Sequence, residues 1–162
     1  MTTITSARLT QSTDFMKIAV LTVILSTMMI ALPARAETQA EEEKNKQLVI
    51  DFYTAVFTDK KVAAAFKKYA TPDYIQHSPL ATDVPNTIQF LQAYMDGTPG
   101  HGWELKRALA DGDLVALHVF SWSSPEDPGR AIVDIFRVEN GMVAEHWEVI
   151  QPVVEMEGRS MF

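Results

Sequence analysis

The sequence predicts an α+β domain in which helices come first and an antiparallel sheet follows. Apolar residues within 48–56 recur every three or four positions, which is the spacing of an amphipathic helix. From Trp103 to Ile150 the pattern changes to the two-residue alternation of strands. The pair Asn140-Gly141 separates two such runs, and it favours a tight hairpin because both central residues need a positive φ. This order of elements predicts helices that cover one face of a sheet.

Three helices are predicted before the sheet. A polar lead-in over residues 37–46 precedes the first helix. The pair Thr71-Pro72 ends the second, because the residue before a proline disfavours helical backbone. Gly97 ends the third in the position that glycine commonly takes after a helix. The predicted helices are a first one ending near Thr58, a second over Lys60–Ala70, and a third from a cap at Asp83 or Asn86 to Gly97.

Four strands are predicted in the second half, after a short extended piece over Tyr74–Ser78. Asp111-Gly112 forms a turn between the first two strands, and a loop rich in proline and glycine over residues 124–129 separates the second from the third. The predicted strands are Trp103–Ala110, Leu114–Ser123, Arg130–Glu139 and Met142–Ile150.

The N-terminal segment predicts export. Lys17 precedes the uncharged run Ile18–Leu32, which ends in Pro33-Ala-Arg-Ala36, a small-residue cleavage pattern. The run is shorter than the roughly 20 residues of a transmembrane helix, so residues 1–36 are predicted to be a signal peptide and no stable membrane anchor is expected. Met16 is a possible alternative start. The mature protein would then be periplasmic or secreted.

Composition restricts the classes of function. The 162 residues include no cysteine, which excludes disulfides, thiolate metal sites and a cysteine nucleophile. The net charge is −7, and cleavage after Ala36 would leave 11 basic and 20 acidic residues, a net charge of −9. Such a domain would repel nucleic acid and anionic membranes. The four histidines are scattered without the i, i+4 spacing of a helical zinc site, so no metal and no cofactor are predicted.

Strand alternation predicts which side chains face a pocket. A two-residue turn at Asn140-Gly141 pairs Glu139 with Met142 and sets Asp134 opposite Trp147. One face is then predicted to hold Asp134, Phe136, Glu145, Trp147 and Gln151. The other is predicted to hold Val133, Ile135, Arg137, His146 and Glu148. Ionisable groups on such core-like strands usually line a pocket.

A second pairing brings a histidine to the predicted acid. If Trp122 pairs with Arg130, His118 falls opposite Asp134 on the same face. A carboxyl group beside an imidazole can move a proton near neutral pH. His77 could reach the same pocket from the segment between helices. Each residue has a structural alternative: Asp134 as a buried paired carboxylate, His118 as a core histidine, His77 as a turn cap and Trp147 as ordinary core.

Four motifs carry a family resemblance that covers about residues 47–155, leaving 156–162 as a tail. In this order they resemble the SnoaL-like polyketide cyclases, which belong to the NTF2-like superfamily. The motifs are Tyr74-Ile-Gln-His-Ser-Pro79, Gly112-Asp-Leu-Val-Ala-Leu-His118, Asp134-Ile-Phe-Arg137 and Glu145-His-Trp-Glu-Val-Ile-Gln151. The resemblance implies the NTF2-like or cystatin-like cone, in which three N-terminal helices pack on a strongly curved antiparallel sheet around a pocket.

The resemblance also implies a reaction and a set of residues. Cyclases of this type close rings by aldol condensation without metal or cofactor. Asp134 would be the general acid/base, and His118 and His77 would orient or polarise a substrate carbonyl. The predicted substrate-binding residues are Trp147, Phe136, Glu145, Gln151, Tyr74 and Trp122, although helix packing is the competing role for Tyr74.

Three functions remain open at this point. The first is a cofactor-independent enzyme for aldol cyclisation, isomerisation or related chemistry on a hydrophobic carbonyl compound. The second is an exported, non-catalytic protein that binds a small hydrophobic ligand. The third is a module that assembles through its outer sheet face. The resemblance implies a homodimer, and Val133, Ile135, Val143 and Leu117 are the residues predicted to give that face apolar area.

Overall fold

The computed structural model describes residues 38–162, so the predicted signal peptide lies outside the described residues. Helix α1 covers residues 38–57 of this part, and the segment predicted as a polar lead-in is therefore helical from residue 38. The other helices are α2, Val62–Tyr69, and α3, Val84–Gly97. No helix in residues 38–162 is long and apolar enough to cross a bilayer.

Of the two predicted caps of α3, Asp83 or Asn86, the structure has Asp83, whose side chain accepts a hydrogen bond from the backbone N–H of Asn86 at 2.8 Å. This bond satisfies a donor that the first helical turn leaves without an intrahelical partner. Pro85 lies in the same first turn, where its missing N–H costs nothing. The prediction that Gly97 follows the helix was wrong, because Gly97 is the last helical residue and Thr98 is the cap.

Five strands of the described chain form one sheet in the order β1-β5-β4-β3-β2. Strands β2 to β5 are antiparallel neighbours, as predicted, whereas β1 pairs in parallel with β5. The helix α3 separates β1 from β2 in the chain. The two strands are not neighbours in the sheet and form its opposite edges. The bounds are Ala70–Gln76 for β1, Gly102–Asp111 for β2, Leu114–Trp122 for β3, Arg130–Glu139 for β4 and Met142–Pro152 for β5.

The helices bury their apolar sides against the inner face of this curved sheet. Phe52 of α1 contacts Phe66 of α2 and Phe136 of β4 edge-on, with ring centroids 5.2 and 6.1 Å apart. On the sheet side the core includes Val115 and Leu117, which are completely buried. The α+β class and the cone architecture predicted from the sequence are therefore confirmed.

The predicted hairpin is also confirmed at its turn. Asn140 and Gly141 have φ values of 52° and 73°, and Glu139 pairs with Met142. A positive φ at both positions is the requirement that made this pair informative in the sequence. The turn therefore fixes the start of the β4–β5 ladder, from which the inward and outward side chains are counted.

Candidate functional site

A β-bulge in β5 changes the pairing soon after the turn. Val138 pairs with Val143, but Arg137 pairs with Glu145, so Ala144 is an extra residue on β5. Val143 and Ala144 are both buried, although neighbouring residues of a regular strand point to opposite faces. From Glu145 onward, every side chain of β5 therefore lies on the face opposite to the one predicted.

The bulge brings a different set of groups to the predicted acid. Asp134 opposes Glu148 and not Trp147, so the predicted pairing is wrong. His146 and Glu148 share the inner face with Asp134 and Phe136, whereas His146 was predicted to point outward. The predicted inward positions of Asp134 and Phe136 are correct, and both residues are buried.

The predicted pairing of His118 with Asp134 is wrong as well. Ser121, not Trp122, pairs with Arg130, which sets His118 opposite Val133 and leaves Leu117 opposite Asp134. The His118 side chain therefore lies on the outer face, where its Nδ1 is 2.9 Å from Nη1 of Arg107. Partial burial lowers the pKa of His118, and the positive charge of Arg107 lowers it further.

A chain of hydrogen bonds joins Asp134 to the edge strand β1. The Oδ1 atom of Asp134 is 2.9 Å from Nε2 of His146, and Nδ1 of His146 is 2.8 Å from Oε1 of Gln76. Gln76 Oε1 also accepts the backbone N–H of Ser78 at 3.0 Å. These hydrogen bonds cross the three neighbouring strands β1, β5 and β4, since Gln76 pairs with His146 and Asp134 lies on the next strand of the sheet.

These bonds determine where the protons lie. A backbone N–H can only donate, so the Gln76 atom that receives it is an oxygen, and His146 must donate to that oxygen through Nδ1–H. The contact from His146 Nε2 to Asp134 Oδ1 then needs one further proton. Either an imidazolium donates to an ionised carboxylate, or a carboxylic acid donates to a neutral imidazole. In both states the pair is neutral and shares a single proton.

The second oxygen of Asp134 is not satisfied. Asp134 is 4% exposed, and its Oδ2 atom is buried without a hydrogen-bond partner among the described residues. A buried carboxylate oxygen without a partner costs free energy, roughly 1–3 kcal/mol for a neutral polar group and more for a charged one. Such an atom is the natural place for a proton donor that is not part of the protein.

Glu148 supplies a second carboxylate next to this pair. It accepts a hydrogen bond from the hydroxyl of Ser78, the residue whose backbone N–H donates to Gln76. Donor atoms of Asp134, His146 and Glu148 lie within 4.8 Å of one another, so the three side chains could hold a divalent cation. A cation there would take the place of the proton between Asp134 and His146.

A cavity lies over these groups, between the sheet and the helices. It has a smaller compartment of about 70 Å³ and a larger one of about 180 Å³. Asp134, Glu148 and Tyr53 line both compartments, so the two are parts of one space. The remaining wall is mostly apolar and includes Phe57 and Leu91. The cavity combines an apolar wall with a few convergent polar groups, as small-molecule sites do.

Two buried tyrosines add neutral hydrogen-bond donors. Burial raises the pKa of Tyr53 well above its usual value, and the negative charge of nearby Asp134 and a hydrogen-bonding interaction of the Tyr53 hydroxyl with that carboxylate, longer than a normal hydrogen bond, raise it further. The pKa of Tyr74 is raised by burial and by the negative charge of Asp134. Both hydroxyls therefore stay protonated at neutral pH, and both residues line the smaller compartment. They can donate a hydrogen bond to an oxygen on which negative charge develops.

Comparison with known families identifies the family to which this domain belongs. The family described as the SnoaL-like domain matches residues 49–146, which is more than half of the chain. The match includes α1 from residue 49 onward, all of the Asp134 strand and His146. The chain belongs to the SnoaL-like family. No curated protein sequence matches it significantly.

Solved structures show the same fold as this SnoaL-like domain. AclR from Streptomyces galilaeus, assigned as a hydroxylase, has 20% identity and a TM-score of 0.57, covering 68% of this chain and 81% of its own. A protein from Kribbella flavida assigned as a ketosteroid isomerase has 18% identity and a TM-score of 0.58, with 74% and 86% covered. A protein from Acidithiobacillus ferrooxidans assigned as a polyketide cyclase has 18% identity and a TM-score of 0.55, with 66% and 87% covered. Identities at this level establish the fold alone.

Three residues that the sequence predicted for the pocket lie together on the outer face of the SnoaL-like domain. His77 stacks on Trp147 with ring centroids 4.7 Å apart and planes 4° apart. Glu145 lies 3.5 Å from His77 Nε2 and 3.1 Å from Arg137, which also contacts Glu139. The predicted outer charge network of Arg137 exists, but its partners are Glu139 and Glu145, and Glu148 is on the inner side.

The other predicted substrate-binding residues divide between the two faces. Phe136 and Tyr74 line the cavity. Trp122 packs beside Phe120 on the outer face, and Gln151 is exposed beyond the bulge. Leu117 and Val143, predicted to add apolar area to the outer face, are instead completely buried on the inner face. Val133 and Ile135, the other two residues of that predicted set, do lie on the outer face, where Val133 is exposed and Ile135 is half-buried.

Sequence reasoning missed His146, Glu148, Gln76 and Ser78 as site residues. The sequence does hold an indication for the first two. Met142-Val143-Ala144 places three apolar residues in succession where a regular strand would alternate, and such a break is typical of a bulge. Gln76 and Ser78 had no comparable indication, because their role depends on the parallel pairing of β1 with β5.

The proton arrangement at His146 can be tested without an assay of activity. We expect two-bond ¹H–¹⁵N correlations to show that Nδ1 of His146 carries a proton in the wild type. In Gln76→Leu the acceptor of the His146 Nδ1–H is lost, so the position of the proton on the imidazole is no longer fixed. The variant should also lose about 1–3 kcal/mol of stability, because buried donors are left without an acceptor. Gln76→Glu keeps an acceptor and should keep the wild-type pattern. An unprotonated Nδ1 in the wild type would contradict the arrangement.

Proposed function

We propose that this protein is a cofactor-independent enzyme that removes a proton next to a carbonyl group of a small, largely hydrophobic substrate. The observation that carries the proposal is the buried, unpartnered Oδ2 of Asp134, held at the cavity while Oδ1 is bound to His146. Carboxylates in apolar sites are suitable general bases for this step.

The proposed step uses the groups of the cavity in turn. With His146 as imidazolium, ionised Asp134 takes the substrate proton on Oδ2. The carbon–hydrogen electron pair moves into the carbonyl group and gives an enolate. Tyr53, neutral because of its raised pKa, is placed to donate a hydrogen bond to the enolate oxygen. Asp134 then returns the proton to another carbon, or the enolate attacks a second carbonyl group.

This proposal covers isomerisation and aldol cyclisation, because both begin with the same enolate. The fold alone does not select between them. A homodimer that uses the outer sheet face also remains a proposal. The non-catalytic alternative, a binding protein for a small hydrophobic ligand, is supported by the mostly apolar wall of the cavity and is separated from the enzyme by the following test.

Proton removal can be measured directly as exchange of substrate hydrogen for deuterium. We expect the protein in D₂O to exchange the methyl hydrogens of acetophenone or 4-acetylbenzoate faster than buffer does, as followed by ¹H NMR. Binding of these ketones without any exchange would support the binding protein and contradict the enzyme.

The role of a metal is tested in the same assay. We expect EDTA to leave the exchange rate unchanged, because a proton joins Asp134 to His146 in the proposed mechanism. Added Zn²⁺ should inhibit by displacing that proton. Loss of exchange in EDTA with recovery on addition of Zn²⁺ would show instead that Asp134, His146 and Glu148 act as metal ligands.

A further inference from the structure

Arg130 places a positive charge at one end of the cavity. It is the first residue of β4 and lines the larger compartment. Asp134 is four residues further along the same strand and on the same face, about 13 Å away at the rise of an extended chain. The guanidinium and the proposed base are therefore at the two ends of one space.

The guanidinium of Arg130 is attracted to the carboxylate of Asp127 but makes no hydrogen bond within the described residues. Asp127 is its nearest acidic partner, with Nη1 3.6 Å from Oδ2. The oxygens of Asp127 are already occupied. Oδ2 accepts the hydroxyl and the N–H of Ser123, and Oδ1 accepts the N–H of Gly129 at 3.0 Å.

The same bonds keep Asp127 ionised. Hydrogen bonds from the Ser123 side chain, then from the backbone of Ser123 and Gly129, lower the pKa of Asp127 to about 2. The carboxylate therefore fixes the loop before β4 and attracts Arg130 without using its donors. A guanidinium has five N–H groups in a planar fork that fits a carboxylate with two parallel bonds.

Apart from Asp127, which lies in the loop before β4, no acidic residue of the described chain lies at the Arg130 end of the larger compartment. His101 lies in the same compartment, with Nε2 3.2 Å from the Ser121 hydroxyl. Burial lowers the pKa of His101, and the charges of Lys60 and Arg130 lower it further, so its imidazole is neutral at pH 7. The other end of the cavity holds the carboxyl groups of Asp134 and Glu148. An anionic group on a ligand is thus attracted to the Arg130 end and repelled from the Asp134 end.

The size of the larger compartment limits the ligand. An apolar cavity of about 150 Å³ holds one benzene molecule, and this compartment has about 180 Å³. A single ring or a short chain therefore fills the space between Arg130 and Asp134.

We infer that the cavity is built for a small oxo acid, with its carboxylate on Arg130 and its carbonyl group at Asp134 and His146. This inference rests on the proposed function, because it assigns the reacting end of the ligand to Asp134. The two carboxyl groups at that end set the orientation, since the reversed ligand would bring three acidic groups together.

The probes for the test are 4-acetylbenzoate and 4-acetylbenzamide, which have the same shape and differ in charge. We expect isothermal titration calorimetry to show at least roughly tenfold tighter binding of the benzoate. The difference should shrink as salt is added. Arg130→Gln should remove the preference, and Arg130→Lys should keep part of it. Arg137→Gln removes the same charge from the outer face and should keep the preference.

The outcomes separate this inference from the proposed function. Equal binding of the two probes, no binding of the benzoate, or a preference that survives Arg130→Gln would overturn the oxo-acid inference. Arg130 is partly exposed and circular dichroism can verify that its variants fold. Selective binding of the benzoate without deuterium exchange would refute the proposed reaction and leave the carboxylate site intact. Deuterium exchange in both probes, with equal binding of the two, would support the proposed reaction and overturn the carboxylate site.

Discussion

The variant Asp134→Asn is expected to exchange substrate protons roughly 10²–10⁴ times more slowly than the wild type, the range attributed to a positioned general acid or base. Asparagine has almost the same shape as aspartate but cannot accept a proton at neutral pH. It removes the proposed base without opening space in the cavity. The rate is measured by ¹H NMR in D₂O at saturating ketone, so that weaker binding does not contribute.

The fold of this variant should be retained because of the proton arrangement at His146. With Nδ1–H donated to Gln76, the Nε2 atom of a neutral imidazole has a lone pair, and the amide introduced by Asp134→Asn can donate to it. Ligand affinity should therefore change little. The matched control is Asp113→Asn, an exposed aspartate in the turn after β2, which should leave the rate unchanged. Unchanged exchange in Asp134→Asn would refute Asp134 as the base.

The largest effect on stability is expected from Phe52→Ala. Phe52 is buried in α1 and contacts the rings of Phe66, Tyr69 and Phe136 edge-on. Truncation removes the buried ring and these contacts and leaves a cavity. Substitutions of this kind cost about 3–5 kcal/mol, which is a large share of the roughly 5–15 kcal/mol that stabilises an ordinary domain. Urea unfolding followed by circular dichroism measures the loss.

The control for this variant is Leu109→Ala, because Leu109 is 66% exposed on β2. It should change the free energy of unfolding by less than about 0.5 kcal/mol. Should Phe52→Ala not fold, Phe52→Leu keeps part of the packing and gives an intermediate loss. A change below about 1 kcal/mol in Phe52→Ala would mean that the helix layer is not anchored by this ring.

Local features of the fold were predictable from the sequence, because short-range chemistry determines them. The turn at Asn140-Gly141 follows from the two positive φ values, and the start of α3 follows from the capping side chain of Asp83. The order of three helices and four strands follows from periodicity. None of these predictions needed information about distant residues.

The site was only partly predictable, because it depends on register. Asp134 and Phe136 were placed on the inner face correctly, since they lie in an uninterrupted strand. His146 was assigned to the wrong face because one bulged residue, Ala144, reverses the alternation. His118 was misplaced because Arg130 pairs with Ser121 and not with Trp122, which shifts the pairing of β3 with β4 by one residue.

The strand β1 was the least predictable part of the site. Its parallel pairing with β5 joins residues about 70 positions apart in the chain, as in the bond between Gln76 and His146. No local sequence pattern predicts such a pairing. It contributes Gln76, which orients the imidazole, and it leads directly into Ser78, which binds Glu148.

The bulge at Ala144 has a consequence for how the hairpin tolerates a change in length. Because Ala144 has no partner on β4, deleting it should leave Glu145 opposite Arg137 and His146 opposite Phe136. The cavity should therefore keep its imidazole and its carboxyl groups. If Ala144 were instead paired within the ladder, β5 would turn over from that point, and Glu145 and Trp147 would face the cavity.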